Sequence, residues 1–326
     1  MIKIILAVVL LVGLFVVLNK AASLLLDNLQ YAIKKTKTKP IIIGLILGFF
    51  TTIPELAVGF NAIYNNIGAV SLGNIWGTII VLFTLVLGLA IIFNHDIENK
   101  GKLYFVISSF LLIILSIILA FNGSFNWING LIVLFFYGLL IYVRFFSYKE
   151  NSNILTRLHI TKKKAAWSKF KEKIKYWFSN FRKEIFISSI SLIIILISSF
   201  FIVDIAIYLL NYWQVSPFII GLLIFSIGTN LPEISITIRS AYRGAGSLSF
   251  NHLVGSAINS IAALGFLSLF HNFSVDVNTS FIYFFIITCL VLLIVTIFYI
   301  SRRTFDRWEG IALLGIYLLF IVFQFI

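Results

Sequence analysis

Two short strings carry the residues best suited to chemistry: "TTIPELAV" at 51–58 and "GTNLPEIS" at 228–235. Each sets a Pro–Glu pair inside an otherwise apolar run. An ionised carboxylate at the centre of a hydrocarbon layer costs at least about 2.5–3.5 kcal/mol on insertion scales, so Glu55 and Glu233 mark a functional site. Proline removes a backbone N–H and clashes with the carbonyl one turn earlier. Pro54 and Pro232 are therefore expected to free carbonyls near residues 50 and 228. Thr51, Thr52, Thr229 and Asn230 add side-chain oxygens beside those breaks. Carboxylate, hydroxyl and carbonyl together form an all-oxygen site, which suits hard cations such as Ca²⁺ or Na⁺. Thr78 and Ser256, each following a glycine, can add oxygens from neighbouring spans, with close packing as the competing explanation for such small residues. For the two glutamates the competing explanation is a kink holding a protonated acid. Recurrence of the motif in two matching places argues against it. Two carboxylates meeting in a dry site couple their titrations, so protons should compete with cations there.

The elements that must position these residues are membrane spans. The chain has 326 residues, of which 60% are hydrophobic and 11% charged, with a mean hydropathy of +1.06. Soluble domains are nearer half apolar and a quarter charged. The composition predicts an all-α polytopic membrane protein with no separate soluble domain. Ten spans are expected, near 2–33, 40–64, 69–94, 102–122, 126–147, 185–211, 217–241, 248–271, 279–301 and 308–325. The N-terminal run lacks a small-residue cleavage site ahead of a soluble domain and reads as the first span. The single cysteine, Cys289, excludes an intrachain disulfide and reads as a packing residue.

The net charge of +13 is a matter of topology. All of the 25 Lys and Arg except Lys3 and Lys20 fall in the loops after spans 1, 3, 5, 7 and 9 or at the span ends beside them. The positive-inside rule then places both termini outside and loop 148–184 in the cytoplasm of a cell with this protein in its inner membrane. That loop contains "TKKKAAWSKFKEKIKYWFSNFRKE", with basic residues interleaved among aromatic ones. It reads as an amphipathic helix on anionic membrane lipid, and nucleic acid is not expected as a partner. No glycine-rich phosphate loop is present, so no nucleotide or other cofactor is expected. An enzyme is disfavoured because the buried carboxylates have neither a nucleophile–His pair nor a metal-binding histidine set.

The basic loop divides the chain into 1–147, 148–184 and 185–326, with five spans in each flanking part. Five is odd, so the second set must run through the membrane inverted relative to the first. One offset relates Glu55 to Glu233, Thr51 to Thr229 and Gly77 to Gly255. An offset shorter by one relates Pro40 to Pro217 and Asp27 to Asp204. One residue has therefore been lost in the first half or gained in the second, and "GLILGFF" is the expected place for a change of helical register. Downstream, "SLGNIWGTIIVL" pairs with "SFNHLVGSAINS". Asp27 and Asp204 are expected to hydrogen-bond between helices. Asn74 pairs with His252 in the repeat, and the histidine is expected to bond a neighbouring helix. No second His or Cys lies at ligand spacing, which speaks against zinc or copper.

"GTNLPE" followed by "GSAIN", and "TTIPE" followed at the same distance by "GTIIV", resemble the two alpha repeats of the calcium/cation antiporter superfamily, and most of all its prokaryotic sodium/calcium exchangers. The resemblance covers essentially the whole chain. It implies alternating access around a cation site at the repeat interface. Glu55 and Glu233 match the central carboxylates, Thr51 and Thr229 the preceding Thr, and Thr78 and Ser256 a Ser of the neighbouring span. Thr52 and Asn230 stand where the family usually has Ser. Gly48 and Ser226 fall where backbone carbonyls would contribute. The chain departs from the pattern at Ile79 and Ala257, at Leu82 and Ser260, where the family has Asn or Asp, and at Phe50, where a Gly is usual. The implied activity is exchange of Ca²⁺ for Na⁺ or H⁺ with no covalent chemistry. The alternatives are a proton-coupled monovalent cation antiporter and a non-transporting scaffold that presents the basic loop.

Overall fold

A computed structural model describes residues 2–35, 49–93, 103–150, 182–242, 246–301 and 304–325. In chain order the described elements are α1 (Ile2–Lys35), α2 (Ile53–Tyr64), α3 (Gly68–Phe93), α4 (Leu103–Ile118), β1 (Ser124–Phe125), α5 (Trp127–Glu150), α6 (Arg182–Trp213), α7 (Pro217–Thr229), α8 (Leu231–Tyr242), α9 (Gly246–Leu267), β2 (Phe273–Ser274), α10 (Thr279–Ser301) and α11 (Arg307–Phe323). Six of them, α1, α3, α5, α6, α9 and α10, are long and apolar enough to cross a membrane. Helix is the form such runs must take, because lipid offers no partner to an unpaired backbone N–H or carbonyl. The basic segment 151–181 lies outside the described residues, as does Pro40.

α1 and α6 form a long pair. In α1 the buried residues Leu11, Phe15, Leu18, Ala22 and Leu25 recur at alternating spacings of four and three, which draws one stripe down the helix. The stripe meets Ile195, Ile202, Val203, Ala206 and Leu209 of α6. The opposite face of α1, with Ile5, Val9, Val12 and Val16, is exposed and apolar. That is the composition of a face turned to lipid.

A second core surrounds α3. Trp76 is fully buried. Its ring stacks on Phe284 with centroids 6.0 Å apart and meets Phe125 edge-on at 6.2 Å. Its indole N–H donates to Ser116 Oγ of α4 at 3.3 Å, so the polar edge is not stranded. α9, α10 and α11 complete this cluster.

Two departures from regular helix bear on the site. α3 contains a π-helical turn at Val81–Val86, and α7 contains another at Gly221–Phe225. A π-turn absorbs one extra residue without ending a helix. The turn in α7 lies between Pro217 and Glu233, the interval that is one residue longer than that between Pro40 and Glu55. Its counterpart in "GLILGFF" falls largely on 44–48, outside the described residues. The span expected at 217–241 is not continuous either: it divides at Asn230 into α7 and α8.

Asp27 and Asp204 do not bridge helices as expected. Both are exposed, and neither makes a side-chain hydrogen bond among the described residues. Away from the site, β1 and β2 pair antiparallel, Ser124 opposite Ser274 and Phe125 opposite Phe273. The Val275 N–H donates to Gly123 O at 2.9 Å, and Gly123 takes a φ of 83° that favours glycine.

Candidate cation site

Both Pro–Glu motifs start a new helix. Thr52 (φ −87°, ψ 0°) and Asn230 (φ −96°, ψ 11°) break the preceding helical turn in the same sparsely populated bridge conformation. Pro54 and Pro232 then fall in the first turn, where a missing N–H costs nothing. Glu55 and Glu233 sit in that same first turn. There the unpaired N–H groups and the helix dipole favour negative charge. The proline thus does more than free a carbonyl. It creates a helix N-terminus whose free N–H groups point positive charge toward a carboxylate in the first turn.

Both N-terminal turns read as capping boxes, Thr52 or Asn230 followed three residues on by Glu, yet neither polar side chain is used that way. Thr52 makes no side-chain cap. Its hydroxyl turns back and donates to Phe49 O at 2.8 Å. Asn230 Nδ2 donates to Thr78 Oγ1 at 2.6 Å and to Ser226 O at 2.7 Å. The glutamates turn toward α9.

Glu55 and Glu233 are 2% and 3% exposed. Ser260 Oγ donates to Glu55 Oε1 at 2.9 Å, and Ser256 Oγ makes a longer contact of 3.5 Å to Glu233 Oε1. One turn of α9 therefore spans the two carboxylates, because residues four apart lie on one face, about 6 Å apart along the axis. The carboxylates are within electrostatic reach of one another. Each keeps one buried oxygen, Oε2, with no hydrogen-bond partner. Buried carboxylate oxygens are normally satisfied. Two such oxygens on neighbouring carboxylates are what a cation would complete.

α3 serves the other side. Thr78 Oγ1 donates to Asn74 O and accepts from Asn230. Thr229 Oγ1 lies 3.0 Å from both Asn74 Oδ1 and Phe225 O and donates to one of them. α3 comes this close because of three glycines. A Cβ on Gly73 would strike Phe218 O, and one on Gly221 would strike Val70 O. A Cβ on Gly77 would lie 2.6 Å from Leu222 O. Backbone touches backbone where α3 crosses the π-turn of α7.

Of the residues expected at the site, Glu55, Glu233, Thr229, Asn230, Thr78 and Ser256 are brought together. Ser226 contributes its carbonyl to Asn230, and its hydroxyl donates to Leu222 O. Thr52 is buried but bonds within its own turn, and Thr51 is half-buried at the break. Gly48 lies outside the described residues. One expectation is corrected. The carbonyl of Gly228, which Pro232 deprives of its helical donor, does not turn to the site: Asn19 Nδ2 of α1 donates to it at 2.6 Å. His252 also differs from expectation, since its Nε2 is buried with no partner. Three participants escaped the sequence reading as site residues. Ser260 was visible only as a departure from a family pattern and Asn74 only as the mate of His252. Asn19, an amide mid-way along a greasy span, was the signal for a latch between α1 and the break.

Residues 6–146 and 183–326 match the family model of the sodium/calcium exchanger protein. The chain belongs to this family. It is an integral membrane protein of the cation exchangers, whose related proteins are transporters rather than enzymes. An uncharacterized membrane protein of Methanocaldococcus jannaschii is 25% identical over 84% of this chain and 83% of its own length. Sodium/calcium exchanger MaX1 of Methanosarcina acetivorans is 31% identical over 44% of this chain and 41% of its own. The fold is that of the sodium-calcium exchanger NCX_Mj, seen in a crystal soaked with Na⁺ and Sr²⁺. The two agree at a TM-score of 0.62 over 98% of this chain and 99% of that one, at 22% identity.

Proposed function

We propose that this exchanger moves Ca²⁺ in one direction against Na⁺ or H⁺ in the other, at a shared site between the two Pro–Glu helices. The observation that carries the reading is the pair of buried glutamates at facing helix starts, each with an unpartnered carboxylate oxygen. Two negative charges in one dry space match a divalent cation and repel one another without it. Monovalent cations or protons can neutralise the same charges, so the species compete rather than bind together.

In this reading the chain has ten spans in two inverted sets of five, 1–147 and 185–326, joined by the cytoplasmic loop 148–184, with both termini outside. The matching conformations of Thr52 and Asn230 support the internal repeat. The ligands are Glu55, Glu233, Thr51, Thr52, Thr229, Thr78, Ser256, Gly48 and Ser226, joined by Ser260, with Asn230 able to offer only its unpartnered Oδ1, since its Nδ2 is a donor. The two sets expose the site alternately, and only a site whose charge is neutralised can change sides, since bare paired carboxylates are costly in the membrane interior. The basic loop rests on anionic lipid.

The test is ⁴⁵Ca²⁺ uptake into proteoliposomes under an imposed Na⁺ or H⁺ gradient. The wild-type protein takes up Ca²⁺ under at least one gradient. Glu55→Gln and Glu233→Gln each lose uptake by about 10²-fold or more, since removing one partner of a buried charged group typically costs 3–5 kcal/mol. Absence of Ca²⁺ movement under both gradients overturns the reading.

A further inference from the structure

Asn230 is fully buried, and its side-chain nitrogen is crowded by oxygen. Nδ2 lies 2.6 Å from Thr78 Oγ1, 2.7 Å from Ser226 O and 3.4 Å from Thr229 Oγ1. A primary amide has two N–H groups, so it serves the first two oxygens and lies against the third. Thr78 gives its own proton to Asn74 O and can only accept here. Two acceptors at short range fix nitrogen rather than oxygen at that end of the amide. The other end, Oδ1, is buried with no partner.

Three neutral oxygens from two helices thus converge on one weakly positive group. That is how proteins replace the hydration shell of an alkali cation, with hydroxyl and carbonyl dipoles. None of the three is a carboxylate, so the cluster suits a monovalent ion better than a divalent one. At the matching break in α2 no amide enters among the described residues. Thr52 stands there, and its hydroxyl is turned back to Phe49 O. Among the described residues the filling is seen on one side of the site.

We propose that the Asn230 amide occupies the place of a monovalent cation, so that this chain carries one such cation fewer per cycle than the same scaffold with a small residue at 230. The proposal deepens the exchange reading above and rests on it for the word "cycle", but the filled cluster itself is a matter of binding. An amide cannot be released or exchanged. The monovalent-loaded state therefore holds one positive charge less, and the dependence on the driving cation is shallower.

The experiment uses the full chain as wild type, Asn230→Ser and Asn230→Ala, each purified and checked for a monodisperse peak. Both variants remove the NH₂ group, and serine also adds an oxygen, so the alanine form serves if the serine form does not fold. Na⁺ binding is measured by calorimetry without Ca²⁺. The variants are expected to bind one more Na⁺ than wild type. In proteoliposomes with the membrane potential clamped at zero, the static-head Ca²⁺ gradient under a tenfold Na⁺ gradient is expected to be about tenfold larger for Asn230→Ser. One added Na⁺ per Ca²⁺ multiplies that gradient by the Na⁺ ratio, and a tenfold change is about 1.4 kcal/mol. If no protein moves Ca²⁺, the exchange reading fails, and the calorimetry alone decides the filled cluster. Equal Na⁺ stoichiometry in all three folded proteins overturns the proposal.

Discussion

Ser260 is the residue whose hydroxyl turns Glu55 toward the site. Hydrogen bonds to charged groups are worth about 1.5–3 kcal/mol net, so Ser260→Ala is expected to weaken Ca²⁺ affinity roughly tenfold, while Ser260→Thr keeps the donor and most of the affinity. A Ca²⁺ titration of uptake checks this, and an unchanged half-saturation for Ser260→Ala would remove Ser260 from the site. At this scale the sequence was readable where chemistry clashed with surroundings. A glutamate in hydrocarbon has few explanations, and Glu55 and Glu233 stood out at once. Asn74, Asn19 and Ser260 did not, because small amides and hydroxyls occur in apolar helices for many reasons. Their partners, Thr229, Gly228 O and Glu55, lie far off in sequence. No spacing rule reaches across that distance.

The elements carry the geometry through close backbone contact. Gly221 touches α3 with no room for a methyl group. Overpacking a tight core costs about 1–3 kcal/mol, so Gly221→Ala is expected to lower thermal stability and reduce uptake together, by shifting Ser226, Thr229 and Asn230 away from Thr78 and Asn74. Gly138→Ala on α5 is the control: a Cβ there meets nothing within 4 Å, and stability is expected to hold or rise. Equal melting temperatures for the two variants would mean that α3 and α7 do not need their glycines. The helix breaks were legible from the prolines, which fix where an N–H is missing. The π-turn of α7 was legible only as an offset of one residue between two distant motifs. The other π-turn, Val81–Val86 of α3, left no such trace. Its apolar residues are as suitable for a regular helix, and only packing selects the wider turn.

For the molecule as a whole, the proposed pair of carboxylate ligands predicts that transport depends on acidity. Cations need both glutamates deprotonated, and protonation removes the charge that binds them, so uptake is expected to fall as the medium is acidified. Because the species compete, added Ca²⁺ should restore the rate at a given acidity by raising occupancy, leaving the maximum rate nearly unchanged. Uptake measured across a grid of pH and Ca²⁺ concentration checks this. A fall in maximum rate with no change in half-saturation would place the sensitive group elsewhere. The membrane nature of the chain was plain from composition and is carried by the family to which it belongs. The fold itself, shared with NCX_Mj over 98% of this chain, depends on how apolar faces choose one another. Greasy helices that all look alike in sequence carry little information about such choices.

The short pairing of β1 with β2 has a mechanical consequence. Ser124–Phe125 follows α4 and Phe273–Ser274 follows α9, and backbone hydrogen bonds join them directly. Asn129 strengthens the junction by donating to Leu119 O and Ser124 O. A rigid clasp on one rim leaves large displacements to the opposite rim, as a pair of tongs opens only away from its rivet. Spin labels at Asn122→Cys and Asn272→Cys, in a chain with Cys289 replaced, should therefore keep one separation in Na⁺ and in Ca²⁺. A change of several ångströms between the two ions at that pair would show that the rivet itself slides.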